Sequence, residues 1–100
     1  MAAVKVERRV YPVPLPQLFG ICLTVLGQMR TTVERHDVEQ GMVVAAFGAG
    51  ALAPISELSL ALRPLAEQQT ELTATWQARA RGGDRRLQAI FLDAVDSFIR

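Results

Sequence analysis

The order of hydrophobic periods constrains this chain more than any other feature. A helical period runs from Leu15 to Met29, alternating segments fill the middle, and a second helical period extends from Leu87 to Ile99. Period 3.6 marks a helix with one buried stripe, and period 2 marks a strand with one buried face. The expected fold is therefore α+β, an antiparallel sheet with two helices in the order β-α-β-β-β-β-α. One hundred residues with no linker, repeat or low-complexity tract make a single domain spanning 1–100.

Local punctuation supports each element. Val4, Val6, Arg8 and Val10 alternate with Lys5, Glu7, Arg9 and Tyr11. That pattern suits a half-buried strand with the valines as its apolar set, and Arg8 interrupts the set, which places the strand at a sheet edge. Pro12, Pro14 and Pro16 cannot donate to a ladder, and Pro suits the first turn of a helix. The first helix then carries Leu15, Leu18, Phe19, Cys22, Val25, Leu26 and Met29 on one stripe, with Gly20 and Gly27 on the opposite face. Those glycines mark either an open face or a subunit contact. Segments 32–37 and 42–47 form a hairpin around Glu39-Gln40-Gly41, and the second of them is apolar on both faces. Segment 55–63 alternates up to Pro64, where it is expected to end. Segment 70–79 turns Leu72, Ala74, Trp76 and Ala78 inward. Asp84 is the expected N-cap of a last helix whose apolar face is Leu87, Ile90, Phe91, Ala94, Val95 and Phe98. The fold prediction is a meander of the four later strands, the first strand added at an edge, and both helices on one face.

This arrangement resembles the small bacterial helix-grip domains, including lipoprotein-type accessory proteins and uncharacterised proteins. The likeness rests on Tyr11-Pro12 leading into an amphipathic helix, Asp37 and Gly41 before Val43-Val44-Ala45, and a Gly82-Gly83-Asp84-Arg85-Arg86 corner before the last helix. It implies a sheet gripping the C-terminal helix. Larger relatives bind apolar ligands between the two, and accessory members bind other proteins. The chain departs from the lipoprotein type in having no lipidated Cys near its start, since Cys22 falls within a helix.

Composition narrows the functions. Half the residues are apolar and 21% are charged, the profile of a folded domain, and burial of about 60–65% of the unfolded surface gives one modest core. A net charge of +1 provides no field for nucleic acid or an anionic membrane. No segment approaches the roughly 20 apolar residues that span a bilayer, and the first residues are charged where a signal peptide is apolar. A cytoplasmic location is expected. Ten of the eleven basic residues are Arg and fourteen residues are Ala, as in a GC-rich bacterial genome.

Reactive chemistry is sparse. Cys22 lies in an apolar stripe, where burial raises a thiol's pKa. His36 and Asp37 are strand neighbours and point to opposite faces. No cofactor or metal is expected, because His36 and Cys22 are the only soft ligands and sit on different elements. Asp93 and Asp96 are assigned to the solvated face of the last helix. Arg79, Arg81, Arg85 and Arg86 gather at its start and form a weak anion-site candidate, although Asp84 occupies the anion position. The reading is a non-catalytic, self-associating binding module whose partner is itself or another protein. Val43, Ala45, Phe47 and Leu52 are its expected contact surface, because a small domain cannot easily bury every apolar face. The alternative is a carrier of a small apolar ligand, with Trp76 and Phe91 lining the cavity.

Overall fold

Pro14, with extended backbone, stands at the N-cap position of the helix that begins at Leu15, and Pro16 lies in its first turn. The computed structural model describes residues 4–48, 56–78 and 86–99. Its elements are β1 (Val4–Tyr11), α1 (Leu15–Gln28), β2 (Thr32–Asp37), β3 (Met42–Phe47), β4 (Ser56–Ala66), β5 (Gln69–Ala78) and α2 (Arg86–Ile99). The strands form one antiparallel sheet in the order β1-β5-β4-β3-β2. The expected meander and the edge position of β1 are both observed.

Both helices pack on the inner face of the sheet and touch each other. Leu18, Phe19, Cys22, Val25 and Leu26 are the buried residues of α1, as its stripe predicts. After Gln28 the chain reverses through Arg30, which is held at φ 58°, while the Thr31 amide donates to the Leu26 carbonyl at 3.4 Å. This bond satisfies a carbonyl that a helix end leaves free. In the β2–β3 turn, Asp37 Oδ1 accepts from the amides of Glu39 and Gln40. Gly41 closes that turn at φ +63°, and a Cβ there would lie 2.3 Å from the Leu62 carbonyl oxygen. Only glycine fits both demands.

Three sequence expectations change. First, β1 lies with its valines outward: Val4, Val6 and Val10 are 55%, 54% and 49% exposed, whereas Tyr11 is 5% exposed. The helix-facing set is Lys5, Glu7, Arg9 and Tyr11. The reason is that Tyr11 must turn into the core for the Pro12–Pro14 corner to reach α1, and alternation then fixes the rest. Second, α2 is rotated by about one residue. Its buried residues are Gln88, Phe91, Leu92 and Val95, while Ile90 and Phe98 are about half exposed. The helix carries two overlapping apolar stripes, and the one chosen lets Gln88 hydrogen-bond the sheet and Asp96 reach Arg9. Third, β4 runs through Pro64 to Ala66, with a register shift between those two residues. A bulge at the strand end accommodates the missing donor.

The surface expected for self-association also moves. Val43, Ala45 and Phe47 point to the helix side and belong to the core. A second chain could not reach them without displacing a helix. Leu52 lies outside the described residues.

Candidate functional site

The seam between the inner face of the sheet and α2 carries the polar chemistry of the interior. Gln88 is fully buried, and its Nε2 donates to the carbonyls of Lys5 on β1 and Ala74 on β5, at 3.0 and 2.8 Å. This clamps the first turn of α2 across two strands. At the other end, Arg9 Nη1 bonds Asp96 Oδ2 at 2.6 Å, while Asp93 lies 3.7 Å and Glu7 3.5 Å from the same guanidinium. Asp93 is solvated as its position suggests, but Asp96 is held against β1.

Four buried side-chain atoms have no hydrogen-bond partner among the described residues: Tyr11 Oη, Ser56 Oγ, Trp76 Nε1 and Gln88 Oε1. A few such atoms are ordinary in a domain of this size, so their placement is the informative part. All four lie on β1, β4, β5 or α2. Ser56 and Trp76 are diagonal neighbours on the inner face, since Ser56 opposes Ala78 and Leu58 opposes Trp76. Gln88 clamps the backbone beside Trp76, so three orphaned atoms share one end of the seam.

Tyr11 is at the opposite end. Tyr11 lines a recess of about 330 Å³ together with Val10, Pro12, Asp96 and Ile99, its hydroxyl buried behind the surface. Burial first, then Asp96 acting as a nearby hydrogen-bond acceptor and as a negative charge, pushes the Tyr11 phenol well above its usual pKa, and Arg9 acts in the opposite sense. The hydroxyl therefore stays protonated and can donate or accept. Thr70 Oγ1 donates to the Val13 carbonyl at 2.8 Å and anchors the chain behind this recess. A second recess of about 400 Å³ lies on the outer face between Arg8, Ala61, Arg63, Glu71 and Thr73, where Arg63 and Glu71 pair at 3.2 Å.

The sequence-derived residues divide as follows. Trp76 and Phe91 are buried in the core, at 1% and 0% exposure. They belong to the same core cluster as Leu58, Leu60, Leu72, Leu92 and Val95. Arg79, Arg81 and Arg85 lie outside the described residues, as does Asp84, and Arg86 is the exposed first residue of α2. Cys22 is fully buried, and burial pushes its thiol up to about 12. His36 is exposed on β2 with its ring 6.4 Å from that of Phe19. No group of three metal-ligating side chains occurs among the described residues, and no described helix is long and apolar enough to cross a membrane. Sequence reasoning missed Arg9, Tyr11, Ser56 and Gln88. The available signal was charge complementarity between Arg9 and the Asp93–Asp96 pair one helical turn apart.

No protein-family model matches the sequence, and no curated protein matches it. Solved structures do match in shape. An uncharacterised protein from Bacillus thuringiensis superposes with a TM-score of 0.65 at 6% identity, covering 97% of this chain and 96% of that one. The Zhui aromatase/cyclase from Streptomyces sp. R1128 gives 0.61 at 13% identity, over 99% and 94%. Ara h 8.0201 gives 0.57 at 9% identity, over 99% and 98%. The fold is helix-grip. At these identities the likeness shows fold alone. It nevertheless overturns the expectation that this chain is not an enzyme. A named aromatase/cyclase has the same architecture, so the lack of a sequence motif around His36 or Cys22 does not set catalysis aside.

Proposed function

We propose that this protein binds a small, mostly apolar molecule with a hydrogen-bonding head group, at the seam between β1 and α2. The Tyr11 hydroxyl carries this reading, because it is buried, makes no hydrogen bond of full geometry although Asp96 and Arg9 lie beside it, and belongs to a residue that lines a recess. A buried polar group without a partner costs about 1–3 kcal/mol, which a ligand group reaching it would recover. Val10, Pro12 and Ile99 provide apolar walls, and Asp96 provides an acceptor beside the phenol. A volume near 330 Å³ falls at the low end of the roughly 300–1,000 Å³ typical of ligand sites.

The aromatase/cyclase neighbour is named for ring-forming chemistry, which recommends an aromatic body as the first probe. The test is an NMR titration of the full chain with 2-naphthol and with naphthalene. Saturable shifts confined to the amides of Val10, Tyr11, Asp96 and Ile99 are expected, with 2-naphthol binding about tenfold more tightly, in keeping with one recovered hydrogen bond. Tyr11→Phe should reduce 2-naphthol to the affinity of naphthalene. Shifts elsewhere, or a Tyr11→Phe variant that discriminates as the wild type does, would overturn the assignment. An ordered water on the Tyr11 hydroxyl would leave both probes equally weak.

A further inference from the structure

We propose that this chain dimerises through β1, edge to edge, about a two-fold axis at Val6. The two sheet edges are built differently. β2 is interrupted by a register shift between Val33 and Arg35, and its sequence Thr-Val-Glu-Arg-His-Asp is almost wholly polar and exposed. A bulge and a run of charges blunt a sheet edge against another strand. β1 pairs with β5 over all eight residues without a shift, and among the described residues no strand lies beside its other edge. Its outer face carries three valines about half exposed, with Arg8 between them. The contacts that α2 makes with β1, from Gln88 and Asp96, come from the inner face.

Charge selects the occupant and the register. Residues directly opposite in an antiparallel pair share a face, so a two-fold axis normal to the sheet passes through a residue. An axis at Glu7 would set Glu7 against its own copy and Lys5 against Arg9, both repulsive. An axis at Arg8 would set Arg8 against its own copy and would compete for Arg9, already bonded to Asp96 at 2.6 Å. The axis at Val6 sets Lys5 against Glu7 twice, where Glu7 has only a loose 3.5 Å contact with Arg9 through one of its two oxygens, with Val6 on Val6 and Val4 along the stem of Arg8. Lys5 is exposed and makes no ion pair among the described residues, so its ammonium is available. A strand complementary to its own reversed copy is best covered by a second copy, and one patch then closes a two-fold dimer. Pairing covers residues 4–8 and leaves Tyr11 and its recess open.

Sedimentation velocity on the full chain, from low to high micromolar concentration, tests the proposal. The wild type should form a concentration-dependent dimer. Lys5→Glu replaces two attractive pairs by two repulsive ones and should weaken it about tenfold or more. The exchange Lys5→Glu with Glu7→Lys should restore it to within about threefold, because the opposed pairs are reinstated. Val6→Lys, on the outer face and independent of those charges, should abolish it. All the replaced side chains are exposed or half-exposed, and circular dichroism of each variant confirms its fold. A monomeric wild type overturns the proposal, as does a dimer indifferent to Lys5→Glu or one that the charge exchange fails to restore.

Discussion

The two helices rest on the same sheet but make opposite kinds of interior. Under α1 the buried residues are Leu18, Phe19, Cys22, Val25 and Leu26, and none of the orphaned polar atoms is on that helix among the described residues. Under α2 a buried Gln88 clamps two strands, Arg9 reaches across to Asp96, and the orphans are on the seam or facing it. Apolar packing has no competing solvent partner to satisfy, so the α1 half gains stability from burial alone. The α2 half leaves hydrogen-bonding capacity unused in a low-dielectric interior, where it is costly. Both helices bury apolar residues, Phe91, Leu92 and Val95 on α2 among them, but the buried polar chemistry of the proposed site lies with α2.

The largest effect that could break this contrast is a matched pair of substitutions. Leu26→Ala should cost about 2–5 kcal/mol, the range for truncating a fully buried leucine. Gln88→Leu removes two hydrogen bonds but also an orphaned carbonyl oxygen, and should change stability by no more than about 1 kcal/mol. Urea denaturation measures both. Equal losses would mean that Gln88 is as structural as the α1 core.

A smaller effect separates the halves by pH. Cys22 is raised by burial from 9.0 to about 12, so the unfolded chain loses this proton first. Its contribution to stability is complete below pH 9 and declines as pH rises between those values, by at most about 1.4 kcal/mol per pH unit. Tyr11 is raised in the same direction from 10.0, so its limb begins about one unit higher. Cys22→Ala should remove the early part of the alkaline decline, and Tyr11→Phe the later part. Chemical denaturation at a series of pH values above 8 checks the order. A decline unchanged by Cys22→Ala would mean that solvent reaches the α1 interior.

The α1 half was legible in the sequence and the α2 half was not. One stripe from Leu15 to Met29 admits one docking orientation, and the turn residues Asp37 and Gly41 act locally, so helix, hairpin and strand order all follow from short-range rules. β1 and α2 each present two faces of comparable apolarity, and short-range rules do not choose between them. The choice was made by tertiary partners: Tyr11 entering the core, Gln88 finding two carbonyls, and Asp96 finding Arg9. The polar residues that decide the orientation are those that form the candidate site, so misreading the faces also hid the site. Segment 42–47 shows the reverse error. Two apolar faces suggested an excess to be covered by a partner, whereas Val43, Ala45 and Phe47 lie within the core.

The smallest effect concerns the solvent side of α1. A Cβ built on Gly20 or Gly27 would meet nothing within 4 Å, and both residues are exposed. Neither has a positive φ, so neither needs glycine for its conformation. Alanine at each should therefore stabilise by about 0.5–1 kcal/mol, through helix propensity and a smaller loss of chain entropy. The two sites are seven residues apart, about 10 Å along the helix, and neither added Cβ meets another group within 4 Å, so the gains should add. Thermal melts of Gly20→Ala, Gly27→Ala and the double variant measure this. A loss would mean that another backbone lies against α1, and a loss appearing only at concentrations where the wild type self-associates would locate that backbone in a second copy. It would then move the dimer contact from β1 to α1. A gain at every concentration leaves the α1 face to solvent and the sheet edge as the surface for association.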